Sequence, residues 1–311
     1  MNFLLTLQKV SVLFLLIIVG YITGKKNIIT SSGQKELASL VLKVTMPATI
    51  ILAMQLEYTS ERLFTAFRIM IIVILAYLGM IILSNFTSKR YKVTDGQRDV
   101  IKIASLLSNT SFMGFPIVLS VLGNEALFFA VLGVGLIFEI VSWTYGIYTI
   151  SRTTEFDFSK NIVKNILLSP GILSIAVGLI LFIFSIKIPE PINATMGLLS
   201  QATSPLAMLV VGILLSRSNV KECLTTPKLY LVSITKLLVF PMLIFLVLKV
   251  LGFTGMELII PVIMLSMPTA AYVAIFSANV GNDTNLASQL VFISSLLSII
   301  TIPLMVLLVT A

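Results

Sequence analysis

Apolar residues are grouped along this chain into ten long runs that are separated by short polar stretches. A helix needs about 20 apolar residues to cross the hydrocarbon core of a bilayer, and each run has roughly that length. The pattern predicts membrane-spanning helices at 6–24, 35–56, 64–86, 98–122, 126–150, 163–185, 193–216, 228–250, 256–280 and 285–309. The predicted fold class is an all-α polytopic membrane protein without a soluble domain.

The fourth run contains residues that disrupt helices in the middle of an otherwise apolar segment. Over Leu107–Gly123 it reads LSNTSFMGFPIVLSVLG and includes Asn109, Thr110, Gly114 and Pro116. Proline removes a backbone donor, and glycine weakens a helix. We therefore expect this helix to break partway across the bilayer, as helices do where transporters bind ions and substrates. The alternative is a plain proline kink.

Composition supports the membrane assignment and excludes several kinds of chemistry. Hydrophobic residues make up 58% of the chain and charged residues 11%, against about 25% charged in soluble domains. The chain has no histidine and one cysteine, Cys223, which excludes histidine-based catalysis and an internal disulfide. We expect no enzyme activity, no metal and no cofactor. The net charge of +8 is spread between the apolar runs, so no nucleic-acid partner is expected.

Basic residues are divided unequally between the two sets of loops. One set contains most of them, and the opposite set contains only Lys9, Arg62, Arg68, Lys187 and Lys249. The richer set is predicted to be cytoplasmic. With ten spans, both termini of this cell-membrane protein are then extracellular. Glu125 and Asp283, which follow the fourth and ninth spans, are both assigned to the outer face as loop caps.

The two halves of the chain match each other at one constant offset, since 178 − 20 = 158. The matched pairs are Gly20 with Gly178, Thr45 with Thr203, Pro47 with Pro205, Leu107-Ser108 with Leu265-Ser266, and Gly123-Asn124-Glu125 with Gly281-Asn282-Asp283. Five-span repeats would then occupy 1–150 and 161–311, joined by a cytoplasmic linker at 151–160. An odd number of spans inverts the second repeat, as in many secondary transporters. Coincidence among frequent residues is the alternative.

This offset places a counterpart of the interrupted fourth run in the ninth run. Leu265–Gly281 reads LSMPTAAYVAIFSANVG and also contains a proline, Pro268. Two broken helices that meet would direct their half-helix ends at one point. Exposed N–H ends favour anions there, and carbonyl ends favour cations.

Four short motifs, in this order and spacing, resemble the auxin efflux carrier family, which includes the plant PIN proteins and bacterial permeases. The fourth span contains NTxxMGxP at 109–116, and the fifth has Glu139 four residues before Trp143, similar to the family's Gln-x-x-x-Trp. The eighth span contains KLLVFP at 236–241, and Pro268 lies where the family has a Leu-Pro. The resemblance covers essentially the whole chain.

The resemblance implies ten helices in two inverted halves, with crossovers in helices four and nine. Helices 1, 2, 6 and 7 would form a scaffold beside a mobile transport domain. It also implies a permease for a small organic anion: auxin in plants, malate or malonate for several bacterial members. Carried over by position, the substrate-binding residues would be Asn109, Thr110, Gly114, Pro116, Pro268, Thr269, Tyr272, Val273 and Ala274.

Three features depart from the plant members. The long central loop is missing, which indicates a prokaryotic-type permease. Val273 and Ala274 stand where a second proline would mark the ninth-span crossover, near Tyr272–Ala274. Glu139 replaces a glutamine and is the only acid near the middle of a span. Glu139 and Lys236 are therefore the candidates for ion coupling: either Glu139 carries a proton, or it is a fixed structural partner of Lys236.

The sequence thus predicts a secondary active transporter of a small organic anion that works by alternating access. Its expected partners are the substrate, a coupling proton or sodium ion, the lipid bilayer and a second copy in a homodimer. The alternatives are a channel or sensor of the same fold, and a cation-coupled symporter of the bile-acid-transporter type.

Overall fold

The computed structural model describes residues 3–155, 168–217 and 220–310, and these ranges are almost entirely helical. They form α1 (Phe3–Lys25), α2 (Ser31–Ala53), α3 (Ser60–Ser88), α4 (Asp95–Leu106), α5 (Thr110–Leu122), α6 (Asn124–Ser151), α7 (Pro170–Ile183), α8 (Glu190–Ser216), α9 (Val220–Thr225), α10 (Pro227–Val250), α11 (Gly255–Leu265), α12 (Ala271–Val280) and α13 (Thr284–Thr310). Within these ranges, the one extended pairing is an isolated bridge between Ser108 and Thr269. The all-helical prediction is confirmed.

Within the residues that the structure describes, seven helices are long and apolar enough to cross a membrane: α1, α2, α3, α6, α8, α10 and α13. Shorter apolar helices are α5, α7, α11 and α12. The chain is therefore a multi-pass membrane protein by length and composition. Most of the linker predicted at 151–160, and the start of the span predicted at 163–185, lie outside the described residues.

The chain divides into two compact units, and each draws on both halves of the sequence. The first unit consists of Met1–Ile69, Ser111–Leu136 and Leu167–Arg217. The second unit consists of Met70–Thr110, Ile137–Ile166 and Ser218–Ala311. Helices α1, α2, α7 and α8 therefore belong to the first unit, and α4 and α10–α13 belong to the second.

Glycines allow α1 and α8 to approach each other very closely in the first unit. A Cβ atom added to Gly212 would lie 2.0 Å from the carbonyl oxygen of Ile17, and one added to Gly20 would lie 2.3 Å from that of Leu209. Small residues at such contacts let membrane helices pack backbone against backbone. Gly178 has a related role on α7, where an added Cβ would meet Met54 at 2.7 Å.

Three prolines widen a helix rather than end it. Pro47, Pro116 and Pro241 each follow a π-helical turn, at Val41–Thr45, Thr110–Gly114 and Thr235–Val239 respectively. A proline cannot donate to the helix and its ring presses on the preceding turn, which a wider turn relieves. The predicted break at Gly114 and Pro116 is therefore misplaced: both residues lie inside the continuous helix α5.

The interruptions of the fourth and ninth runs lie slightly earlier in the chain than predicted. The first break is at 107–109, between α4 and α5, and contains no proline. The second is at 266–270, between α11 and α12, and contains Pro268. The crossover expected near Tyr272–Ala274 is instead the first turn of α12.

Asp283 does not share a face with Glu125, contrary to the prediction. The side chain of Gln97, at the start of α4, donates to Asp283 at 2.9 Å. Asn282 donates to the carbonyl oxygen of Ile150, at the end of α6, at 2.7 Å.

Glu125 lies at the opposite end of α6, where it pairs with Arg62 at 3.0 Å. The prediction failed because the second repeat, if inverted, must place its matching loop on the other side. Asp283 is a helix cap, however, as it accepts from the backbone of Leu286 at 2.9 Å.

We expect Gly212→Ala to destabilise the first unit by about 1–3 kcal/mol, the usual cost of overpacking, because the added methyl group meets backbone that cannot move aside. Gly197→Ala is the matched control on the same helix, since its added Cβ meets nothing within 4 Å. The control should be neutral or slightly stabilising, because alanine favours a helix more than glycine does. Thermal unfolding of the purified variants measures both effects, and equal melting temperatures would contradict the close contact.

Candidate functional site

The two breaks lie against each other within the second unit. The backbone N–H of Asn109 donates to the carbonyl oxygen of Pro268 at 2.8 Å. The N–H of Ala270 donates back to the carbonyl oxygen of Leu107 at 2.9 Å. We call these two interrupted segments, 107–109 and 266–270, the crossing. Irregular backbone at membrane depth is tolerated only where such bonds satisfy it, so each break makes the other one stable.

Side chains fix the crossing to the helices around it. The hydroxyl of Thr269 donates to the carbonyl oxygen of Ala104 on α4 at 2.9 Å. The backbone N–H of Thr269 donates to the hydroxyl of Ser294 on α13 at 3.0 Å. The hydroxyl of Ser108 donates to the carbonyl oxygen of Leu265, the last residue of α11, at 3.1 Å. These bonds hold the crossing in one conformation.

Lys236 directs its ammonium group at the carbonyl ends of the two helices that enter the crossing. Its Nζ atom donates to the Ser108 hydroxyl at 2.5 Å, to the carbonyl oxygen of Leu265 at 3.2 Å and to that of Leu106 at 3.4 Å. The side chain is fully buried. A cation is favoured there because the last turn of a helix leaves carbonyl groups unpaired and is partially negative.

Asn109 and Thr110 are buried polar residues whose side chains have no hydrogen-bond partner among the described residues. Asn109 is 4% exposed and Thr110 is 0% exposed. The Thr110 hydroxyl is an unsatisfied buried atom, although the backbone at both positions is bonded. Buried polar groups in folded proteins nearly always have partners, so these two side chains are candidates for contact with a ligand.

Glu139 lies in an aromatic cluster beside the start of α12. Its carboxylate accepts from the indole N–H of Trp143 at 3.2 Å and from the hydroxyl of Tyr272 at 3.3 Å. The ring of Phe276 contacts Trp143 and Tyr272, with centroids 5.1 Å and 5.5 Å apart. Glu139 itself is 6% exposed. Tyr272 thus connects the acid of α6 to the helix that follows the second break.

The predicted pairing of Glu139 with Lys236 is not formed. Among the described residues, Lys236 bonds only to neutral oxygen atoms, of Ser108 in the crossing and of the helix ends Leu106 and Leu265 beside it, whereas Glu139 accepts from two neutral donors. The pairing was expected because the two residues have opposite charges and both lie within apolar spans. The sequence could not show that the end of each half-helix offers Lys236 an alternative partner.

The structure distributes the other predicted substrate-binding residues between the two units. Pro268 and Thr269 belong to the crossing, and Tyr272, Val273 and Ala274 form the first turn of α12 in the second unit. Gly114 and Pro116 belong to the first unit. Val273 is fully buried, while Tyr272 and Ala274 are half-buried.

One charged cluster in the second unit was missed at the sequence level. Arg152 donates two hydrogen bonds to the buried carboxylate of Asp99, at 2.5 and 2.6 Å, and Lys102 lies 3.6 Å from it. The bonds to Asp99 raise the pKa of the Arg152 guanidinium above its ordinary value. Asp99 falls at the edge of an apolar run, where an acid is usually solvated. Its spacing of three from Lys102 was the available signal.

Comparison with known proteins identifies the group to which the chain belongs. A family model described as membrane transport protein matches residues 5–306. An uncharacterized transporter of Methanocaldococcus jannaschii is 27% identical over 306 residues, which cover 97% of this chain and 98% of the relative. An uncharacterized transporter of Methanothermobacter thermautotrophicus is 24% identical over 310 residues and 98% of both chains. The uncharacterized transporter YfdV of Escherichia coli K12 is 21% identical over 210 residues, covering 66% of this chain and 67% of the relative. With the family model matching nearly its whole length, this chain is a membrane transporter of the auxin efflux carrier family.

Proposed function

We propose that this transporter carries a small organic anion, such as malate, malonate or an auxin-like carboxylate, across the cell membrane by alternating access. The observation that carries the proposal is the buried, unsatisfied hydroxyl of Thr110 at the first break, next to the buried side chain of Asn109, which has no hydrogen-bond partner among the described residues. An amide N–H and a hydroxyl can both donate to a carboxylate, and hydrogen bonds to charged groups are the stronger kind.

The electrostatics of the crossing support an anion rather than a cation as substrate. The ammonium of Lys236 already occupies the carbonyl ends of α4 and α11. The helices that follow the breaks begin at Thr110 and Ala271, and their first N–H groups have no partner within the helix. The remaining helix ends are therefore the positive ones, which attract negative charge.

The fold proposed for this function is ten spans in two inverted five-span repeats. Seven long helices, the two interrupted pairs α4–α5 and α11–α12, and α7 make ten. Matched residues have matched roles, which supports the repeat. Gly123 and Gly281 both have positive φ, at 88° and 74°. Gly20 of α1 packs on α8, and Gly178 of α7 packs on Met54 at the end of α2. The repeat relates α1 to α7 and α2 to α8, so these two contacts are equivalent.

The division into units supports a scaffold and a moving part. The first unit contains α1, α2, α7 and α8, which are the helices 1, 2, 6 and 7 of the proposed scaffold. The crossing, Lys236 and Glu139 all lie in the second unit. In alternating access, one bundle moves as a body around the substrate site.

Glu139 is the proposed carrier of a coupling proton. It is a buried acid with no cationic partner among the described residues, and its two donors, Trp143 and Tyr272, are neutral. Burying the ionised form of an acid in a membrane costs free energy, so such residues usually take part in ion or proton transfer. Protonation would remove a negative charge from the start of α12, where the substrate anion is expected to bind.

The substrate site is tested with Asn109→Ala and a matched variant, Asn282→Ala. Carboxylates are first screened for those that raise the melting temperature of the purified protein. Asn109→Ala should then weaken binding by about tenfold to a hundredfold, the equivalent of one hydrogen bond to a charged group, without lowering stability. Asn282→Ala should lower the melting temperature and leave the affinity unchanged, because that amide bonds to the carbonyl oxygen of Ile150.

Counterflow of labelled substrate in proteoliposomes separates a carrier from a channel or a sensor. Exchange of labelled for unlabelled carboxylate is expected for the native protein and should be reduced for Asn109→Ala. Unchanged affinity and exchange in that variant would remove Asn109 from the site.

The inverted repeat predicts the side of the membrane on which each loop lies. In a Cys223→Ser background, cysteines at Thr94 and Asn285 should react with an impermeant maleimide from the same side, the cytoplasm. A cysteine at Asn124 should react only from outside. Labelling of Asn124 and Asn285 from one side would be incompatible with inversion.

Proton coupling predicts a specific failure in Glu139→Gln. Uptake by the native protein should increase when the outside is more acidic than the inside, because each anion enters with a proton. In the variant, this gradient-driven uptake should collapse while substrate exchange continues, since the amide keeps an acceptor for Tyr272 but cannot release a proton. Gradient-driven uptake with normal pH dependence in Glu139→Gln would exclude Glu139 as the carrier.

A further inference from the structure

Lys236 belongs to α10, yet the oxygen atoms around its ammonium group come from other segments. Three oxygens lie within 3.4 Å of Nζ: the Ser108 hydroxyl and the carbonyl groups of Leu106 and Leu265. The three N–H donors of an ammonium group are thus matched by three acceptors. The contacts form a closed coordination shell rather than a surface ion pair.

The charge of Lys236 is balanced without an acidic side chain. Among the described residues, no carboxylate forms a salt bridge with it, and all of its partners are neutral. Two helix ends that converge at one point supply the negative potential instead. Without a cation, these carbonyl groups would be buried, mutually repulsive and partly unpaired.

Broken helices of transporters use the same kind of oxygen atoms, half-helix carbonyl ends and unwound backbone, to coordinate a coupling sodium ion. Here the ammonium group of Lys236 occupies the corresponding position among such oxygens. We infer that the Lys236 ammonium is a built-in substitute for an alkali cation, which makes the crossing independent of sodium. The oxygens of Leu106, Ser108 and Leu265 are then a latent cation site that shortening of Lys236 would expose. The inference does not depend on which anion is carried, or on whether an anion is carried.

The direct test is the thermal stability of Lys236→Ala in solutions of equal ionic strength that contain sodium chloride or choline chloride. The native protein should melt at the same temperature in both. Lys236→Ala should be destabilised in choline and should recover with increasing sodium along a saturating curve, because sodium binds the folded state only. Ammonium chloride should act like sodium, whereas choline is too large to enter the space.

Two further variants distinguish cation binding from general salt effects. Lys236→Met fills the space with an uncharged chain of similar length, so it should lose stability in both salts and gain nothing from sodium. Lys249→Ala removes an exposed lysine from the same helix, one that lies over the ring of Phe245, and should show equal melting temperatures in both salts.

Three results would overturn the inference. One is a native protein whose melting temperature or transport depends on sodium at constant ionic strength. Another is a folded Lys236→Ala protein with no sodium response. The third is a Lys236→Ala protein that cannot be purified in sodium or in choline, because a latent site would be filled in the sodium preparation. A variant that survives purification only in sodium or ammonium would support the inference.

Discussion

The second unit depends on one constraint: inside a bilayer there is no water to form hydrogen bonds with backbone N–H and C=O groups, so the protein itself must satisfy them. A helix that stops at Leu106 and resumes at Thr110 exposes N–H and C=O groups at a depth where each unpaired group costs several kcal/mol. The second break supplies the missing partners through the paired bonds of Asn109 and Ala270. Neither break is stable without the other, and the cation of Lys236 is stabilised only because both helices end at one point.

Much of the architecture could be predicted because hydrophobic length and helix-disrupting residues are local signals. The apolar runs and the interrupted fourth and ninth segments followed directly from them. The exact positions of the breaks did not, because Pro116 can be accommodated by a wider turn while Leu107–Asn109 breaks without a proline. Tertiary pairing with 266–270 decides this, and no local pattern contains that information.

The candidate site was predictable in its residues but only partly in its contacts. Asn109 and Glu139 were recognisable as polar groups in apolar surroundings, which is a property of the sequence alone. The partner of Lys236 was not, since opposite charge suggested Glu139 whereas the structure uses carbonyl dipoles. The bond between Asp99 and Arg152 joins residues 53 positions apart, so composition could not reveal it.

The bonds at the start of α4 have a mechanical consequence. Arg152 joins the end of α6 to Asp99 of α4, Gln97 joins α4 to Asp283 before α13, and Asn282 returns to the end of α6. Three helices are thus tied into a triangle at one end, while the crossing ties two of them to α11 and α12 further along. Helices fastened at two heights cannot slide past one another without breaking several bonds at once. The second unit is therefore braced against internal shear at both of these levels.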